Sequence, residues 1–259
     1  MAVSSETFDM GRIFSRMATS VIDHWKVIVA FSAAAGVIRS VSTSLALGPL
    51  LSPDLATNPA AALALFGSSG YWISIIVSLL VSSFAQTAIL AALYQGHESG
   101  DVSFGDAVTA AIARFIPYVL MYILWIIAIS IGFGLLVIPG LFLVTIWAVC
   151  APALAGEGLG LFEAFGRSQA LTKGHRWWVL LTLIIFGLVY FFVSFAAQGF
   201  STTGMLALYQ SSFVAAIVVG VIAQTVQLTI LMSFLNALYF ELRLVNEGSS
   251  TSALKDIFA

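Results

Sequence analysis

Six apolar stretches dominate the chain, at approximately residues 27–48, 71–94, 115–137, 139–156, 177–199 and 213–240. A helix needs about 20 mostly apolar residues to cross roughly 30 Å of hydrocarbon, so each stretch predicts a membrane span. The fourth is the shortest. Pro139 and Gly140 separate it from the third, because proline cannot continue a helix and glycine tolerates a sharp reversal. Phe115 to Gly156 is about twice a crossing length, which predicts a tight hairpin rather than one long kinked helix.

The polar positions between the stretches are distributed unevenly. Arg12, Arg16 and Lys26 precede span one, Arg114 precedes span three, Arg167, Lys173 and Arg176 lie between spans four and five, and Arg243 and Lys255 follow span six. The segments 49–70, 138–140 and 200–212 contain no lysine or arginine. The positive-inside rule then predicts that both termini are cytoplasmic. Ahead of span one there is no short apolar segment followed by a small-residue cleavage site, so this span is expected to be kept as an anchor. In the outer segment 49–70, Asn58 is a good N-cap and Pro59 suits a first helical position, predicting a short interfacial helix over "AAALALFG".

Three segments on the charged side share a layout: "FDMGRIFSRMATSVIDHW", "FGDAVTAAIARFIPY" and "LFEAFGRSQALTKGHRWW". Apolar residues recur at helical spacing in each, at Met10, Phe14, Met17 and Val21, then at Phe104, Val108, Ala111 and Phe115. In the third, Phe162 and Phe165 follow the pattern less regularly, with Gln169 at the next position. The returning spans echo one another in "AILAALYQ" and "SFLNALYFELR". The chain therefore reads as one all-α membrane domain of six transmembrane helices in three repeats of inner-surface amphipathic helix plus hairpin. The repeats cover approximately 6–95, 102–157 and 159–243, with 244–259 as a cytoplasmic tail.

Composition agrees with the spans. Sixty per cent of the 259 residues are hydrophobic and 8% charged, with a mean hydropathy of +1.04, whereas soluble domains carry about a quarter charged residues. Ten Lys and Arg against 12 Asp and Glu leave no basic surface for a nucleic acid. The single cysteine, Cys150, cannot form an intramolecular disulfide and reads as a packed hydrophobe.

The run "IPGLFLVTIWAVCAPALAGEGLGLFEAFGRSQALTKGHRWW", joined by "LNALYFELRLVNEG" near the end, resembles the bacterial membrane-domain family named for its occurrence in glycerophosphoryl diester phosphodiesterases. The match is best over the second half of the chain. The resemblance implies a stand-alone six-span protein of the bacterial inner membrane. It implies no catalytic residue, because the phosphodiesterase chemistry belongs to a separate soluble barrel that this chain has no room for.

Arg39 is the one cation inside an expected span. A guanidinium there costs several kcal/mol unless paired or solvated. It lies 13 residues beyond Lys26, about 20 Å along a helix. It either snorkels to outer head groups or contacts a lipid phosphate or other anion within the bundle, and both readings stand. Gln86, Gln224, Gln227 and Asn236 supply membrane amides that join helices or line a polar contact. Glu157, Arg167, Lys173, Arg176, Glu241 and Arg243 form a candidate polar cluster at the cytoplasmic face, while Glu163 and Arg167 are spaced to pair on one helix. His24, His97 and His175 lack metal-ligand spacing, and no serine sits in a nucleophile motif. Neither a metal, a cofactor nor catalysis is therefore expected. Glycine and proline gather at span ends, and spans three and five carry few polar groups, which argues against a carrier. The leading expectation is a non-enzymatic accessory or organising subunit that binds lipid or a larger membrane complex, its expected partners being membrane lipids and another membrane protein or an oligomer. The alternative is a carrier for a lipid or small amphiphile.

Overall fold

In a computed structural model the described residues are 7–47, 66–100 and 102–248, with side chains omitted at 46–47, 197–211 and 213. The expected interfacial helix after Asn58 and most of the C-terminal tail lie outside them. Among the described residues there is no strand, and six helices are long and apolar enough to cross a membrane. The elements are α1 Met10–Leu47, α2 Ser69–Ser99, α3 Phe104–Leu135, α4 Val137–Ile146, α5 Leu161–Thr172, α6 Arg176–Ser211 and α7 Phe213–Glu247. Between α4 and α5 the chain makes a helical turn, Cys150–Pro152, and a π-helical segment, Ala153–Glu157. The fourth span is α4 plus these two pieces.

The long helices close into a ring. Helix α1 packs along α7 and α2, α2 along α3, α3 along α4, α4 against α6, and α6 along α7. The charged residues at the start of α1, the end of α2, the start of α3 and the end of α7 meet at one end, called here the charged face. Starts are set by local chemistry: the hydroxyls of Ser68, Ser103 and Ser212 accept from the backbone N–H of Tyr71, Asp106 and Ala215, each satisfying a donor that has no partner inside its helix.

Several boundaries differ from those the sequence predicts. The third and fourth spans turn at Leu136, which is extended (φ −164°, ψ 154°), whereas Pro139 and Gly140 sit in the first turn of α4. A proline is tolerated there because its missing N–H would have been unpaired in any case. Gly140 serves close packing: a Cβ on Gly132 would lie 3.0 Å from the Gly140 Cα. The segment 200–212, expected as a loop, is helical through Ser211, since Gly199 and Gly204 weaken a helix without supplying a stop.

The three lead-in segments also differ from one another. The first belongs to α1 but departs from helical geometry at His24 (φ −117°, ψ 19°). The second runs without a break into α3, through Pro117. Only the third, α5, is a separate helix. Its buried residues are Ala164, Ser168, Leu171 and Thr172, while Phe162 is 77% exposed. Small side chains at 164 and 168 let α5 approach the fourth span closely. In the part of α1 before the bend at His24, likewise, the fully buried position is Ile13, beside the spacing read from Met10 and Phe14.

Candidate functional site

The fourth span is interrupted inside the bundle. Trp147 (φ −109°, ψ 17°) and Val149 (φ −116°, ψ 18°) leave helical geometry. Pro152 explains the position: it cannot donate to the Ala148 carbonyl, and its ring crowds that same group. Irregular backbone at membrane depth persists only where protein satisfies its polar groups. Here Ser168 of α5 does so, its hydroxyl donating to the Ile146 carbonyl at 2.9 Å and accepting from the Val149 N–H at 3.2 Å. At the other end of the π segment the Arg114 guanidinium donates to the carbonyls of Ala155 and Gly156. The left-handed Gly158 (φ 71°) then releases the chain toward α5. Val149, Cys150, Ala153, Leu154 and Ala155 are buried, so the broken piece plugs the ring from within.

A polar network surrounds this plug on the charged face. Glu157 at the end of the π segment pairs with Arg167 at 2.8 Å and accepts from the Tyr239 hydroxyl. Arg167 also pairs with Glu247 at 2.5 Å. Burial works against the charge on Arg167, but the hydrogen bonds it donates to Glu247 and Glu157 outweigh it and its pKa is raised. The expected Glu163–Arg167 pair does not form. Glu163 instead accepts from the Gly160 N–H at 2.9 Å, because the first turn of α5 has unpaired donors. Arg243 joins Glu98 at 2.6 Å, Glu247 at 3.3 Å and the Tyr94 hydroxyl at 3.0 Å. Glu241 is wholly buried and holds Arg12 at 2.7 Å, with Arg16 at 3.8 Å and the Asp9 N–H at 3.0 Å.

The proposed cluster therefore divides. Glu157, Arg167 and Arg243 share one network with Glu98, Tyr239 and Glu247, while Glu241 holds Arg12 and Arg16 in a second group; Arg12, Glu98, Tyr239 and Glu247 are partners that sequence spacing does not display. Lys173 is exposed and outside both. Arg176 lies over the Phe142 ring, 5.3 Å from its centroid. Partner identities depend on which helix ends meet in space, and a single chain does not display that.

Within the membrane-spanning region a cavity of about 280 Å³ lies between α2, α3, the fourth span, α6 and α7. Tyr122, Trp125, Ala151 and Leu231 are among its mainly apolar walls, with Gln86 and Tyr118 as its polar corner. The Tyr118 hydroxyl donates to the Gln86 side-chain oxygen at 2.9 Å. Arg39 has Tyr122 and Tyr190 as electrostatic neighbours, and Tyr122 is itself a cavity wall. Among the described residues no carboxylate pairs with Arg39. Of the other membrane amides, Gln224 packs against Gly36 of α1, Gln227 is partly buried on α7, and Asn236 is 2% exposed with its side-chain oxygen unpaired. Gln86 alone of these lines the cavity. Among the described residues no group of three His, Cys, Asp or Glu is placed to hold a metal.

Comparison with protein-family models, with curated proteins and with solved structures finds no match to this chain.

Proposed function

We propose that this multi-pass membrane protein binds an anionic membrane amphiphile, with the apolar part in the cavity beside Tyr122 and the anionic group on Arg39. The observation that carries the reading is the position of Arg39, a guanidinium with no carboxylate partner among the described residues, whose electrostatic neighbour Tyr122 also walls an apolar cavity. A cation inside a bundle is a ligand site by default because leaving it uncompensated is costly. On this reading the protein is a non-enzymatic accessory or organising subunit of the bacterial inner membrane, with both termini cytoplasmic. The exposed apolar faces of α3 and α6, including Ile116, Ile127, Phe191 and Phe192, suit lipid, another membrane protein or a second copy. The resemblance to the phosphodiesterase membrane-domain family belongs to the same proposal. So does the threefold repeat, which the bend in α1 and the separate α5 favour and the unbroken α3 does not.

Native mass spectrometry tests the binding. Wild type should retain phosphatidylglycerol. Arg39→Leu should insert normally and lose that lipid, and Arg39→Lys should recover only part of it, because lysine lacks the planar fork that grips a phosphate. Equal retention by Arg39→Leu and wild type would return Arg39 to snorkelling.

The carrier is the second reading, and one observation favours it. The interruption of span four at Trp147–Val149 lies inside the bundle, the arrangement that transporters use around a site. Vesicles containing the protein would then move a labelled lipid between leaflets faster than empty vesicles, whereas the accessory reading expects no difference.

A further inference from the structure

A second cavity, of about 340 Å³, opens on the charged face where the first turns of α1 meet the end of α2. Arg12, Arg16, Ser20 and Asp23 line it from α1, spaced four, four and three residues apart, which places them in one row along the helix. His24, at the bend of α1, and His97 of α2 close the far wall. The row is polar from end to end, and its charges are separated. The two guanidiniums stand at one end, anchored by Glu241. Asp23 stands seven residues beyond Arg16, about 10 Å along the helix, and forms no ion pair among the described residues. Beside Asp23 the chain turns outward: Ile22 is 71% exposed and Trp25 52% exposed. An exposed indole next to a charged row is the usual mark of the head-group level.

We propose that this cavity binds a zwitterionic phosphoethanolamine group, with its phosphodiester at Arg16 and its ammonium at Asp23. A ligand carrying only an anion would leave Asp23 facing it, and one carrying only a cation would face two guanidiniums. A compact zwitterion complements both ends, and its three ammonium N–H donors suit a carboxylate as a methylated ammonium does not. The group comes either from a membrane phospholipid or from a soluble phosphoethanolamine. This site is separate from the cavity near Arg39 and does not depend on it.

The test uses the full chain in nanodiscs of dioleoyl phosphatidylcholine doped with dioleoyl phosphatidylethanolamine, read by native mass spectrometry. Wild type should retain the ethanolamine lipid over the choline lipid by roughly tenfold or more, the size expected of one charge-assisted hydrogen bond. Asp23→Asn should erase that preference, and Ser20→Leu, which fills the row without removing a charge, should lower retention of the ethanolamine lipid. Both positions lie away from the buried core, and gel filtration checks that each variant is folded. Displacement of the lipid by millimolar O-phosphoethanolamine would assign a soluble ligand, and retention in its presence a membrane lipid. Arg39→Leu should leave the preference intact. Equal retention of the two lipids by wild type, or a preference unchanged in both Asp23→Asn and Ser20→Leu, would overturn the proposal.

Discussion

Replacing Glu241 should be among the most destabilising changes that keep side-chain shape. Its carboxylate is 0% exposed and accepts from Arg12 Nε at 3.2 and 3.1 Å, Arg12 Nη2 at 2.7 Å and the Asp9 N–H at 3.0 Å. Removing one member of a buried, hydrogen-bonded pair costs about 3–5 kcal/mol. The Arg12 and Arg16 side chains are 35% and 23% exposed, so water can recover part of their charge, and about 3 kcal/mol is the better figure for Glu241→Gln. The asymmetry of the pair gives a sharper comparison. Arg12→Met leaves a wholly buried carboxylate with Arg16 as its cationic neighbour among the described residues, whereas Arg12→Met with Glu241→Met leaves no buried carboxylate and only the partly exposed Arg16 charge. The double variant should therefore be more stable than Arg12→Met alone. Equilibrium unfolding in mixed SDS–detergent micelles measures both differences. A cost below about 1 kcal/mol for Glu241→Gln, the level of an exposed pair, would refute the reasoning, as would a double variant less stable than the single.

Two further outcomes follow from the packing and the topology. Gly140→Val should cost about 1–3 kcal/mol in the same assay, because a branched side chain meets the Phe133 ring, while Gly134→Val, where a Cβ would meet nothing within 4 Å, should cost much less. In a Cys150→Ala background, cysteines at the exposed Gln169 and Leu136 should react with an impermeant thiol reagent from opposite sides, with Gln169 protected in intact cells; labelling of Gln169 from outside would invert the topology.

The six spans are legible in the sequence because crossing hydrocarbon demands length and apolarity, and both are local properties. The break in span four is less so. Pro152 marks it, but the phrase around it, "WAVCAPALA", is continuously apolar, and the groups that make the break tolerable, Ser168 and Arg114, lie far from it in sequence. The charged cluster is legible as a set and illegible as a set of pairs. Glu163 and Arg167 have ideal spacing, yet a helix start claims one and two distant carboxylates claim the other. Arg39 is conspicuous in the sequence as an intramembrane cation, whereas the cavity walled by its electrostatic neighbour Tyr122 is assembled from five different parts of the chain. The row Arg12, Arg16, Ser20 and Asp23 is visible as helical spacing once α1 is known to bend at His24, which makes it a wall rather than a free surface.

The occupant of the membrane cavity is the central claim, and photo-crosslinking addresses it most directly. A phosphatidylglycerol bearing a diazirine on its acyl chain, incorporated into membranes with the purified protein and mapped by mass spectrometry after irradiation, should mark Tyr122, Trp125, Ala151 or Leu231. Those adducts should disappear in Ala151→Trp, which fills the cavity, and in Arg39→Leu. Adducts confined to the exposed faces of α3 and α6, unchanged by either substitution, would contradict the account.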